Sequence, residues 1–361
     1  MPTTETTIPR HVLVLGGYGA TGSGVVDAAS RHDGFRVSTA GRRAAPKILL
    51  NGRAAPPHFT IDLMQTVDAG TKIDGLSDVT DLVFCAYAHM PTMAECVAPN
   101  VAMLTNILSL LAQAGAPLQR VVLTGGGKSY GPHLGPYKTP AKESDPRVMG
   151  PIFYEDQEGV LRDWSAKTGG SWTVVRPDGV VGLSLGSPMN LITGIATFAL
   201  VSKQRGLALR FPGSFDAWNA LHQVTDADIF GDAVFWALGS DEARNEIFNV
   251  TNGDNFRWKH LWHDIAGFFD MAVEEPQPMS LVTQMADKEA DWNLIVEQHG
   301  LVPTVWSDIA SWPFLDAIFN IPFDMVQSTI KVRQAGFGDC IDTHQSFLRH
   351  LARLRSARLI P

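Results

Sequence analysis

His11-Val12-Leu13-Val14-Leu15-Gly16-Gly17-Tyr18-Gly19-Ala20-Thr21-Gly22 is the stretch that decides the fold. His11 to Leu15 is a short apolar run that stops at glycine, the pattern of a strand buried on both faces of a parallel sheet. A helical stretch follows over Gly22–Arg31. Gly16-x-x-Gly19-x-x-Gly22 is a weak pattern alone, but here it joins a strand to a helix near the N-terminus, the context its chemistry requires. Gly16 permits a tight turn. Gly19 lets backbone N–H groups approach an anionic diphosphate, and Gly22 allows close helix–strand packing. The helix N-terminus favours the negative charge. Tyr18, Ala20 and Thr21 share the loop and are expected to contact the same ligand. The alternative, a glycine-rich turn with no ligand, does not account for this context.

Working outward, further strands are expected at Phe35–Ala40, Phe59–Ile61 (weak), Leu82–Ala86, Arg120–Leu123, Ser171–Val175 and Asn245–Val250. Helices are expected at Val97–Ala114, where Val101, Leu104, Ile107, Leu108 and Leu111 share a face, and at Gln157–Lys167. Strands alternating with helices imply right-handed crossovers and a parallel sheet covered on both faces. The expected fold is α/β: a Rossmann-type doubly wound parallel sheet over residues 1–186, completed by about 215–255. A smaller, mostly helical C-terminal substrate cap takes 187–214 and 256–361. Composition shifts after about residue 186 toward tryptophan, phenylalanine and methionine, which suggests a pocket for an apolar substrate.

The second strand ends at Ala40-Gly41-Arg42-Arg43. A site for an unphosphorylated ribose places Asp or Glu here. Arg42 and Arg43 suit a 2′-phosphate instead, which favours NADP(H) over NAD. The alternative is two solvated loop arginines. Asp62 and Leu63, after the third strand, stand where an adenine edge is met; Asp62 would equally serve as a plain loop carboxylate.

Bulk composition narrows the classes. The chain has 361 residues, 45% hydrophobic and 18% charged, with a net charge of −8 and no basic stripe, which argues against nucleic-acid binding. Three widely spaced cysteines give neither a disulfide framework nor a metal motif. The N-terminal segment Met1 to Arg10 is polar and shows no leader pattern. Met189–Val201 is the apolar stretch nearest to membrane-spanning length and is too short. No membrane association is expected, and the expected location is the cytoplasm.

Catalysis in short-chain dehydrogenases ordinarily uses Tyr-x-x-x-Lys, in which the lysine lowers the tyrosine pKa. None of the five tyrosines, Tyr18, Tyr87, Tyr130, Tyr137 and Tyr154, has lysine four residues on. Any such pair must come from separate segments. Tyr154 stands just before a helix that follows the fifth strand, and Lys128 stands just past that strand, at the crevice where such sheets bind ligands. A packed tyrosine and a solvated lysine are the bland alternatives.

Further segments carry a resemblance. Leu209-Arg210-Phe211-Pro212-Gly213, Ala217-Trp218, Thr225-Asp226-Ala227-Asp228, Asn245 through Asp254 and Phe256 through Trp262 resemble the progesterone 5β-reductase / iridoid synthase-like enone reductases, an atypical branch of the extended short-chain dehydrogenases. The likeness covers nearly the whole chain. The family's tyrosine in Asn-Phe-Tyr-Tyr falls on Tyr154 of Ile152-Phe153-Tyr154-Glu155, and its acidic pair is reduced to Glu158-Gly159. The family's lysine in Thr-Gly-x-Lys-His-Tyr falls on Lys128 of Thr124-Gly125-Gly126-Gly127-Lys128-Ser129-Tyr130, one residue longer. The resemblance implies a 2′-phosphate site at Arg42 and Arg43. It implies further NADP(H) contacts at Asp62, Leu63, Ala86, Tyr87, Leu123, Thr124, Tyr154, Pro177, Val180, Ser187 and Met189. Substrate contacts are implied at Lys128, Tyr154 and Phe314, with core packing the alternative for Phe314. The implied reaction is conjugate hydride addition to a small apolar carbonyl compound, Tyr154 and Lys128 stabilising the enolate. Direct carbonyl reduction or alcohol oxidation by the same tyrosine, or cofactor sensing without turnover, are the rival expectations. A homodimer is expected on the frequency of twofold pairs among enzymes.

Overall fold

A computed structural model describes residues 10–46, 52–64 and 74–361; the polar N-terminal segment otherwise lies outside the described residues. Seven strands form one sheet: β1 (Arg10–Leu15), β2 (Phe35–Gly41), β3 (His58–Thr60), β4 (Asp81–Phe84), β5 (Arg120–Thr124), β6 (Ser171–Pro177) and the edge strand Glu246–Val250. The order across the sheet is Glu246–Val250, β6, β5, β4, β1, β2, β3, and every neighbouring pair is parallel. This is the doubly wound arrangement expected from the sequence.

Alternation within β1 shows why both faces are apolar. Leu13 and Leu15 point into one core layer with Leu104, Ile107 and Leu111, whereas Val12 and Val14 point into the other with Val25, Phe230 and Val234. The first layer is roofed by α2 (Met93–Gln113) and α3 (Phe153–Thr168), the second by α1 (Ala20–Ala28) and the helix Ala227–Gly239.

Helix α2 begins four residues earlier than its apolar periodicity suggests. Thr92 accepts the Glu95 N–H while the Glu95 carboxylate accepts the Thr92 N–H, so a capping box starts the helix and Pro99 is carried within it. By length and composition this 21-residue helix, of mean hydropathy 1.4, is apolar enough to cross a membrane, unlike the shorter stretch at Met189–Val201. Its stripe of Met103, Leu104, Ile107, Leu108 and Leu111 is buried against the sheet, as a covering helix requires.

The C-terminal region has its own core around α4 (Leu191–Gln204). Phe211, Trp258, Trp262 and Phe319 meet there mostly edge to face, with centroids 5.0–6.2 Å apart. Most of the aromatic residues that the composition assigned to a pocket therefore face one another, and Phe314 is half-buried beside them.

The C-terminal helix Thr343–Ser356 is fastened to the sheet domain through Asp226, which is fully buried. Ser346 donates to its Oδ2, Arg349 pairs with the same atom at 2.7 Å, and His350 Nε2 lies 3.1 Å away. Burial alone would raise the carboxyl pKa, but the hydrogen bonds from His350 and Ser346 and the nearby charge of His350 and Arg349 hold it well below the ordinary range. A depressed folded-state pKa contributes stability that is present above the unfolded value, about 3.9, and lost as pH falls below it. Asp226→Asn should therefore lower stability by about 3 kcal/mol at neutral pH. In urea titrations the gap between variant and wild type should narrow as pH drops below about 4; a gap independent of pH would refute the assignment.

Candidate active site

All strands of a parallel sheet end at one edge, and the loops that leave it meet there. Gly16 leaves β1 with φ +71°, a conformation that favours glycine. A Cβ on Gly22 would stand 2.2 Å from the Gly16 carbonyl oxygen, so α1 approaches this turn as only glycine permits. The α1 N-terminus has no side-chain cap at Gly19 and no acidic residue in its first turn. Its N–H groups are thus placed for an external anion, which fits the diphosphate of a nicotinamide dinucleotide. Tyr18 is held beside this loop by a 2.9 Å hydrogen bond between its hydroxyl and Thr39.

The other expected contacts follow the same edge. Arg42 and Arg43 leave β2, and neither forms an ion pair among the described residues. Arg43 Nη1 donates to the Leu185 carbonyl at 3.0 Å, which draws the β2 loop toward the loop holding Ser187 and Met189. Exposed Asp62 accepts the Met64 N–H at 3.0 Å, whereas the Leu63 side chain is buried in the core layer under α2. Half-buried Ala86 and Tyr87 follow β4. Leu123 is core within β5, and Thr124 at its end donates to Cys85 Sγ at 3.2 Å. Burial raises the Cys85 thiol to about 11, so it stays neutral between Thr124 and Thr21. Pro177 ends β6 and Val180 follows in the short strand Gly179–Val181, paired with Val224–Asp226.

Tyr154 lies within the first turn of α3, which starts at Phe153, rather than ahead of the helix. Glu155 and Asp156 suit this helix N-terminus, and Arg147 bridges them at 2.8 and 3.1 Å. The Tyr154 ring rests on the glycine run after β5. A Cβ on Gly126 would meet the Tyr154 hydroxyl oxygen at 2.7 Å and its Cζ at 2.9 Å. Lys128 stands two residues on, in the 3₁₀ turn Gly127–Tyr130. Gly126, on which the ring rests, is extended, and the turn that carries Lys128 follows it directly. Phe153 tilts against Tyr154 at 4.3 Å and stacks on Tyr87 at 5.7 Å, giving one apolar wall.

The electrostatics sort the pair. Burial, with Cys96 nearby, pushes the Tyr154 phenol up to about 12. It therefore keeps its proton at neutral pH and can donate a hydrogen bond. Burial lowers the Lys128 pKa, and its ammonium forms no ion pair among the described residues. His133, whose two buried ring nitrogens have no partner among the described residues, has its pKa lowered by burial and by Lys128.

Several contacts here escape sequence reasoning, which names Glu158 and Arg176 but not their pairing. Gly126 is read only once the Tyr154 ring is seen on it. Glu158 and Arg176 form a buried ion pair at 2.7 Å, and Arg176 also donates to the Tyr130 hydroxyl at 3.2 Å. Glu158 sits four residues after Tyr154, a spacing that marks a shared helix face, but nothing in the chain order names its partner. Asp178, raised to about 6 by burial, lies with Gln327 against Gly127, and Gln327 arrives from far along the chain.

Known proteins share this fold. A PRISE-like Rossmann-fold domain model matches residues 61–361. The (S)-8-oxocitronellyl enol synthase CYC2 of Camptotheca acuminata is 32% identical, covering 97% of this chain and 93% of the relative. The corresponding synthase of Catharanthus roseus is 30% identical over 97% and 92%. Among solved structures, UDP-glucose 4-epimerase of Thermus thermophilus with NAD superimposes with a TM-score of 0.62 at 19% identity, covering 96% of this chain and 99% of that one. Its counterpart from Thermotoga maritima gives 0.64 at 14%, covering 96% and 99%. These structural likenesses show the fold alone. With the family model spanning most of the chain and synthases of this kind aligned along nearly its full length, the chain belongs to the PRISE-like Rossmann-fold family, the progesterone 5β-reductase / iridoid synthase-like enzymes.

Proposed function

We propose that this protein is an NADPH-dependent reductase of small, apolar α,β-unsaturated carbonyl compounds. The observation that carries the reading is the Tyr154 hydroxyl, protonated and pressed against Gly126, with Lys128, which has no ion-pair partner among the described residues, two residues further along the same loop. Bound NADPH supplies hydride to the β carbon of the substrate. Charge then grows on the carbonyl oxygen as an enolate forms. Tyr154 donates a hydrogen bond to that oxygen, an interaction stronger in the transition state than in the ground state. The Lys128 ammonium lowers the energy of the same charge in a site with little water. The enolate carbon is protonated from solvent. The Tyr87–Phe153 wall supports an apolar substrate. Free cysteines at 85, 96 and 340 accord with the cytoplasm, and a homodimer is the assembly proposed.

Consumption of NADPH by a panel of small enones and matched saturated ketones, with product identification, tests this reading. Saturated-ketone products are expected, and Tyr154→Phe and Lys128→Ala should each lower kcat about a hundredfold to a thousandfold. Alcohol products would mean direct carbonyl reduction. Binding without consumption would make a cofactor sensor the better account. Gly126→Ala should lower kcat in the same direction, because its methyl group displaces the tyrosine hydroxyl; unchanged kcat would show that the hydroxyl position is unimportant. The Lys128 pKa is lowered in the folded protein, so kcat should fall as pH rises through a value below the ordinary lysine pKa of about 10.4. That alkaline limb should be absent from Lys128→Ala.

Arg42 and Arg43, without a carboxylate partner among the described residues, support the choice of NADPH. Replacing either with alanine should raise KM for NADPH about tenfold to a hundredfold, the loss of a charged hydrogen bond worth about 1.5–3 kcal/mol. KM for NADH should stay within about twofold. Equal losses with both cofactors would remove the 2′-phosphate role.

A further inference from the structure

Tyr154 and Lys128 come from different segments, and no Tyr-x-x-x-Lys helix holds them in register. Something else must set their relative position. One side chain touches both supports. Arg176, near the end of β6, is almost fully buried. Its Nη2 donates to Glu158 Oε1 at 2.7 Å, on the same face of α3 as Tyr154 and one turn later. Its Nη1 donates to the Tyr130 hydroxyl at 3.2 Å, and Tyr130 is the last residue of the turn that carries Lys128. Its guanidinium also faces the Tyr130 ring, 5.3 Å from the centroid. Its aliphatic stem lies under Gly125, where a Cβ would meet Arg176 Cγ at 2.9 Å. Gly125 precedes the glycine on which the Tyr154 ring rests.

The partners are themselves fixed. Tyr130 donates to Asn249 Oδ1 at 2.5 Å, and the Asn249 amide donates to the Ala141 and Ser328 carbonyls at 3.3 and 3.2 Å. Glu158 Oε2 accepts from Arg162 at 3.2 Å. A buried ion pair contributes little net stability, because desolvation offsets the attraction. What it imposes is a geometry. We propose that the Glu158–Arg176–Tyr130 bridge is the positioning device that replaces Tyr-x-x-x-Lys here: Arg176 holds the tyrosine's helix and the lysine's turn in one fixed relation. Neither Glu158 nor Arg176 is assigned a contact with substrate. This inference rests on the reading of Tyr154 and Lys128 given above.

Arg176→Ala would strand a buried carboxylate and risk unfolding, so Glu158→Gln and Tyr130→Phe carry the test. Glu158→Gln should lower kcat for enone reduction about tenfold to a hundredfold, with KM for NADPH within about twofold; because it leaves the buried Arg176 without its carboxylate it also lowers Tm, so rates are compared well below both melting transitions. In a Tyr154→Phe background the same substitution should cost less than about twofold, since it acts through the tyrosine. Tyr130→Phe should behave likewise against Lys128→Ala. Equal fold losses in both backgrounds would mean that the network is merely structural and would overturn the proposal. Backbone hydrogen exchange gives a readout that survives even where wild type reduces no enone, an outcome that defeats the proposed function itself. Glu158→Gln should then speed exchange at Gly125–Tyr130 as well as in the first turn of α3. A change confined to α3 would overturn the bridge.

Discussion

A sheet whose strands all run the same way has one edge where every strand gives up its carboxyl end, and this molecule is arranged around that fact. The glycine turn after β1, the arginines after β2, Tyr87 after β4 and the glycine run after β5 are far apart in the chain and adjacent in space. Each loop there leaves a strand with a buried run, Ser38–Ala40 in β2 included, so its starting point is fixed by core packing. Val12 and Leu13 in β1, or Val121 and Leu123 in β5, cannot slide without exchanging a buried layer for the other face. The rigidity of the site is inherited from the register of the sheet.

Polar groups inside this frame work because they are shared. Arg176 is buried where an isolated guanidinium would be costly, and it is tolerated because Glu158, Tyr130 and the strand environment answer it. Asp226, in the short strand paired with Gly179–Val181 just beyond β6, performs a comparable task. It caps the helix Ala227–Gly239 and receives the C-terminal helix through Ser346, Arg349 and His350. The first network joins the two supports of the proposed catalytic pair; the second joins the C-terminal helix to the sheet. Both exchange a desolvation cost for a defined relation between segments distant in sequence.

How far the sequence could be read varied with the range of the interaction involved. The glycine turn, the alternating buried strands and the apolar stripe of α2 are local patterns, and they appear where the periodicity put them, apart from their ends. The early start of α2 was visible in Thr92 and Glu95, yet the apolar repeat drew attention past it to Val97. Tyr154 was placed ahead of α3 because the first turn, Phe153-Tyr154-Glu155-Asp156, carries little apolar periodicity. The tryptophans of the C-terminal region looked like pocket lining, but composition cannot tell a ring that meets a ligand from one that meets another ring.

By itself the sequence determined a doubly wound parallel sheet, a loop shaped for a diphosphate, a pair of arginines at the end of the second strand, and the absence of a Tyr-x-x-x-Lys pair. Those are matters of residue type and short spacing, on which backbone conformation and helix or strand period depend directly. Only the tertiary structure decided that Tyr154 would lie against Gly126, that Glu158 would meet Arg176 across β6, and that Asp226 would receive the C-terminal helix. Those contacts join residues on separate elements. Their partners are chosen by how the elements pack, and no period along the chain encodes that choice.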